Sequence, residues 1–127
     1  MTEKYVENVR FFEEKLRVAE NFDVIKKVLK IGDGEVTLFY IDGLIKDGAM
    51  QKLFIYLLSL QAMPAGAKTF LEQNMPYVEC DVTENDDLML QMVLSGATLM
   101  LGSTFGASAM IIDARTYPAR EIGRAHV

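Results

Sequence analysis

Apolar and polar positions follow two different periods along this chain. In Thr2–Val18, Tyr5, Val9, Phe12 and Leu16 recur at three- and four-residue steps. That is the stripe of an amphipathic helix, with Thr2 as a candidate N-cap. Glu3, Glu7, Glu13, Glu14, Lys15 and Arg17 fall largely off the stripe. The stripe is narrow, so the helix is expected to lie on a surface. Phe22–Ile31 and Glu35–Ile41 read as strands. Gly32-Asp33-Gly34 between them is a hairpin signal, because Asp-Gly favours positive φ. Val36–Ile41 is almost wholly apolar, which suits a central strand covered on both faces.

Asp47–Gln61 predicts the strongest helix, with Met50, Leu53, Phe54, Leu57 and Leu58 on one broad face. Ile55, Tyr56 and Leu60 widen that face, so this helix is expected to be covered on more than one side. Met63-Pro64 ends it. Ala67–Asn74 reads as a second short helix and Tyr77–Val82 as a strand. Asn85–Leu94 reads as a helix with cap candidates in Thr83–Asp86 and a glycine stop at Ser95-Gly96. Ala97–Leu101 and Ala107–Asp113 read as strands around a Gly102–Gly106 turn. The expected fold class is α/β, a mixed sheet of about five strands with packed helices.

Composition narrows the function classes. The chain has 127 residues, enough for one domain with a real core. Its net charge is −5 and its basic residues are scattered. Nucleic acid is therefore not an expected partner, and no patch for anionic lipid is visible. Cys80 is the only cysteine, so no internal disulfide can form; it reads as a small apolar strand residue. Met1–Glu20 is charged throughout and does not read as a signal peptide. The longest apolar run, Phe54–Met63, falls short of the roughly 20 residues a membrane span needs.

Few residues could carry chemistry. Asp42 and Asp113 both end apolar strands, where ligands and catalytic acids gather in open α/β folds. Each is a candidate phosphoryl acceptor or a turn-forming aspartate bonding its own backbone. Neither has the further acids and the later lysine that phosphotransfer needs, and Lys46 follows Asp42 too closely. Arg115 and Arg120 flank Thr116-Tyr117-Pro118-Ala119. They could bind a carboxylate or phosphate, or pair with acids such as Asp113. Gly102–Gly106 lacks the lysine and following helix of a phosphate loop. No Cys/His cluster, serine–histidine pair or paired-glutamate signature points to catalysis, and no metal or cofactor is expected.

The last six residues, Ile122–Val127, match a common sequencing adapter translated in frame, and Glu121 fits its preceding bases. The expected division is therefore a domain over residues 1–120 and an artefact over 121–127. On that division His126 enters no site.

Three segments carry a family resemblance: 22–32 (FDVIKKVLKIG), 38–47 (LFYIDGLIKD) and 110–120 (MIIDARTYPAR). In order and spacing they resemble the GerA family of spore germination proteins, across about residues 1–120. Ala114 and Tyr117 look more like the stage V sporulation AF branch than like nutrient receptor A subunits. The resemblance implies a soluble amino-terminal region of two α/β subdomains, followed by membrane helices in the spore inner membrane. This chain would be mostly the first subdomain, soluble by itself and cut short after Arg120, where a small residue and a Glu-Pro pair are expected. The implied partners are other germination-complex subunits, in a homo- or hetero-oligomer, and the membrane through the missing carboxy-terminal region. The implied role is non-catalytic: subunit assembly and conformational coupling in nutrient-triggered germination. Asp42, Asp113, Arg115 and Arg120 are its candidate ligand or interface residues, with the first-helix stripe and the flank of Asp47–Gln61 as surfaces. The alternatives are a phosphoryl-accepting signalling domain using Asp42 or Asp113, and a small-ligand domain in which Arg115 grips a carboxylate.

Overall fold

A computed structural model of the chain describes residues 1–18, 20, 23–44, 47–73 and 79–113. The elements run α1 (Tyr5–Lys15), β1 (Val24–Ile31), β2 (Gly34–Ile41), α2 (Asp47–Ser59), α3 (Ala67–Glu72), β3 (Glu79–Thr83), α4 (Asp86–Leu94), β4 (Thr98–Gly102) and β5 (Ala109–Asp113).

Local chemistry places most of the boundaries. The β1–β2 hairpin closes with Ile31 opposite Gly34, leaving a two-residue loop. Gly32 takes the first loop position at φ +58°, where a tight hairpin turn requires glycine. The positive φ thus falls on Gly32 and not on Asp33. A Cβ on Gly32 would lie 2.6 Å from the Gln61 carbonyl oxygen, so the loop also needs glycine for close approach. In α4, the Asn85 side chain accepts from the Leu88 N–H at 3.1 Å, the cap its sequence predicts. Its other end closes as a Schellman motif: Ala97 N–H bonds Met92 C=O at 2.8 Å and Gly96 N–H bonds Val93 C=O at 2.9 Å. Thr2 does not cap α1. The N-cap is Lys4, without a side-chain bond, and Thr2 Oγ1 instead accepts from Lys4 N–H at 3.0 Å.

The five strands form one sheet in the order β1-β2-β4-β5-β3. All the pairings are antiparallel, so the α/β mixture lies in helices over a sheet and not in strand direction. β2 is held between β1 and β4, and Val36, Thr37, Leu38 and Phe39 are all buried, as a central strand requires.

Successive strand residues point to opposite faces, and both faces are covered. Leu38, Met100, Met110 and Ile112 pack with Met50, Leu53 and Leu57 of α2 and with Phe70 of α3. Phe39, Leu99, Leu101 and Ile111 pack with Phe12 and Leu16 of α1 and with Met89 and Val93 of α4. The result is three layers, helix–sheet–helix. Each fully buried large side chain contributes roughly 1.5–3 kcal/mol by leaving water.

One expectation fails here. α2 buries Met50, Leu53 and Leu57, but Ile55 and Leu58 stay 67% and 60% exposed. Neighbours on a helix point about 100° apart, so a helix lying on one sheet face leaves its far side open. Among the described residues no helix is long and apolar enough to cross a membrane.

Candidate functional site

α1 is tied to the sheet by a polar chain that starts in its first turn. The Tyr5 hydroxyl lies 2.6 Å from Thr37 Oγ1 and 3.0 Å from Glu35 Oε2. An ionised carboxylate can only accept, so Tyr5 donates to Glu35 and Thr37 donates to Tyr5. Glu35 Oε1 meets Lys30 Nζ at 3.1 Å. The Lys30 ammonium, bonded to Glu35, holds that carboxyl below its usual range. Burial, chiefly, pushes the Tyr5 hydroxyl well above its ordinary value. Lower on the same helix, Glu13 Oε2 meets Lys26 Nζ at 2.7 Å.

Asn8 is the second polar anchor of α1. It is buried, and its Nδ2 donates to Thr2 C=O at 2.9 Å and to Gly106 C=O at 3.1 Å. Its Oδ1 accepts from Thr2 N–H at 2.8 Å. Sequence reading missed this residue, although it sits three after Tyr5 and four before Phe12, on the buried stripe.

The strand-end aspartates reach the same end of the sheet without forming one site. Register aligns Phe39 with Leu99 and Leu99 with Ile111, so β2 and β5 run the same way on either side of β4. Two strand spacings separate them, about 10 Å. Asp42 is exposed; its N–H bonds Asp23 C=O at 2.7 Å, one step beyond the β1–β2 register, and Leu44 N–H then bonds Ile41 C=O at 3.3 Å around Gly43 at φ +90°. That is the geometry of a turn. Burial first, then the charge of Asp42, raises the Tyr40 hydroxyl.

Asp113 ends β5, opposite Glu79 of the edge strand β3. With Asp81, Met92 and Ile111 these two acids line a shallow groove of about 460 Å³. Cys80 is half-buried in the same strand, and burial pushes its thiol up to about 11. Such a thiol is a poor nucleophile at neutral pH. Among the described residues no three His, Cys, Asp or Glu side chains are grouped to hold a metal ion. Arg115, Arg120 and Lys46 lie outside the described residues, as do Ala114, Tyr117 and 121–127.

The Gly102–Gly106 segment is a structural turn. Ser103 N–H bonds Glu35 C=O at 2.9 Å and Thr104 Oγ1 donates to Pro64 C=O at 2.7 Å. The described surface therefore offers ion pairs and exposed apolar side chains, with Val6, Ile55, Leu58 and Leu94 the most open.

Comparison with known proteins agrees with this architecture. The model of the Bacillus/Clostridium GerA spore germination protein family matches residues 11–127. Curated protein sequences give no match. Among solved structures, the N-terminal domain of the A subunit of the Bacillus megaterium spore germinant receptor GerK3 superposes with a TM-score of 0.71 at 17% identity. The alignment covers 92% of this chain and 49% of that one, so this chain spans about half the length of its structural relative. At that identity the likeness shows the fold, and the family match over most of the chain shows the lineage. This chain belongs to the GerA family of spore germination proteins.

Proposed function

We propose that this chain is the assembly and coupling domain of a membrane-embedded spore germination protein. It acts without a catalytic step, by contacts to neighbouring subunits that bias the state of the membrane part during nutrient-triggered germination. The parent protein sits in the spore inner membrane through a region outside this chain, and the domain itself is soluble. The family match over residues 11–127 carries the reading. The surface supports the assembly half of it: Ile55 and Leu58, one helical turn apart on α2, expose apolar area suited to a protein contact. The stage V sporulation AF branch is proposed on Ala114 and Tyr117, and contacts through Arg115 and Arg120 on their place after β5.

Deleting this domain in frame from the full-length gene tests the reading. Nutrient-triggered germination or subunit assembly should fail in spores of the deletion strain. Normal germination and a normal complex would refute it.

The phosphoryl-acceptor reading, at Asp42 or Asp113, has less support: Asp42 is an exposed turn residue, and among the described residues the acids beside Asp113 are not grouped to hold a metal ion. Titration with beryllofluoride and magnesium, followed by NMR, would revive it if shifts appeared at either aspartate.

A further inference from the structure

β1 is an edge strand, paired with β2 alone. The bond from Asp42 N–H to Asp23 C=O sets the phase of that pairing. Antiparallel partners alternate between bonded and non-bonded pairs, so Ile25, Lys27 and Leu29 turn their peptide groups toward β2. Lys26, Val28 and Lys30 turn theirs outward. Among the described residues none bonds to those outward groups.

The open edge has a chemical character on each face. On the α1 side, Val6 and Val28 are 65% and 44% exposed. They line a groove of about 210 Å³ between α1 and β1, with Val9 beneath and the Glu13–Lys26 pair at one end. On the opposite face, Lys27 is exposed. Lys26 and Lys30 are matched by Glu13 and Glu35, whereas Lys27 has no ion pair among the described residues. Arg10, exposed at the mouth of the groove, is in the same position.

We infer that the β1 edge accepts an extended strand of alternating apolar and acidic residues from a partner protein. The outward peptide groups of Lys26, Val28 and Lys30 supply main-chain bonds, as in other sheet-edge recognition. Alternate side chains of the incoming strand fall on opposite faces. Those on the α1 side meet Val6 and Val28, and those on the other side meet Lys27. Lysines on an edge ordinarily deter strand addition. Here they reject the β1 edge of a second copy, which would set lysine against lysine, and they select an acidic strand. The inference rests on the assembly reading only in giving that strand to a partner subunit.

The probe is a capped peptide of about six residues alternating valine and glutamate, a typical strand length. It is added to the isotopically labelled 127-residue chain, and amide exchange is followed by NMR. Exchange at Lys26, Val28 and Lys30 should slow by about tenfold or more, while β3 and α4 amides stay unchanged. A valine–lysine peptide should have no effect. Val28→Pro should abolish the protection at Lys26 and Lys30, since an outward edge N–H can be replaced by proline without breaking the ladder. Should that variant not fold, Lys27→Glu supplies a second test: it should weaken binding of the acidic peptide several-fold. Equal protection by both peptides, protection elsewhere, or edge protection by the chain alone at high concentration would overturn the proposal. None of those results touches the germination reading, which the deletion strain tests separately.

Discussion

The Tyr5 hydroxyl lies 2.6 Å from that of Thr37, joining the first turn of α1 to the central strand. Thr37 is fully buried, and Tyr5 is the partner that satisfies its hydroxyl. Tyr5→Phe should therefore destabilise the domain by about 1–3 kcal/mol, read as a lower urea midpoint with an unchanged slope. Adding Thr37→Val to Tyr5→Phe should recover part of that loss, because the orphaned hydroxyl is gone.

The same chain makes stability depend on pH at both ends. The Glu35 carboxyl is lowered in the folded state, chiefly by its bond to Lys30. Its contribution is present at neutral pH and is lost as the pH falls through that lowered value, below the ordinary carboxylate range. The Tyr5 hydroxyl is raised by burial. Its contribution is intact below the ordinary tyrosine value of about 10 and is lost as the pH rises beyond it. Stability measured against pH should flatten on the acid limb in Glu35→Gln and on the alkaline limb in Tyr5→Phe.

Asn8 anchors the chain before α1 and the turn after β4 at once. Asn8→Ala leaves the Gly106 carbonyl without that bond and should lower stability by about 1–3 kcal/mol. Asn85→Ala, which removes only an exposed helix cap, should cost about 1 kcal/mol. Chemical unfolding of the two variants side by side checks the order.

Two adjacent leucines on α2 should behave oppositely. Leu57 is fully buried and Leu58 is 60% exposed. Leu57→Ala should lose about 2–5 kcal/mol of folding stability. Leu58→Ala should change folding by less than about 0.5 kcal/mol. If α2 is an assembly surface, Leu58→Ala in the full-length protein should instead weaken recovery of the complex with its subunits.

Gly32→Ala should lower the thermal midpoint more than Gly43→Ala. Both glycines take positive φ, but a Cβ at Gly32 would also strike the Gln61 carbonyl, whereas nothing lies within 4 Å of one at Gly43. The strain of a positive φ is about 1 kcal/mol for alanine, and the collision adds to it.

Much of this protein is local and was written into neighbouring residues. The β1–β2 hairpin follows from alternation around glycine, the α4 ends from Asn85 and Gly96, and the buried β2 strand from an unbroken apolar run. The likeness of three short segments to the GerA family was also legible in the sequence, and the family match over residues 11–127 agrees with it. What the chain pattern left open depended on contacts between distant residues. An amphipathic period cannot say how many sides of a helix a sheet will cover, so the exposure of Ile55 and Leu58 waited for the packing of α2. Strand order β1-β2-β4-β5-β3 rests on pairings between strands distant in sequence, and it separates Asp42 from Asp113. Asn8, Tyr5 and Thr37 are ordinary singly; Asn8 gains its role from Gly106, 98 positions away, and Tyr5 its role from Thr37, 32 positions away. The open β1 edge is likewise a property of the sheet, since only pairing decides which strand is left with peptide groups facing water.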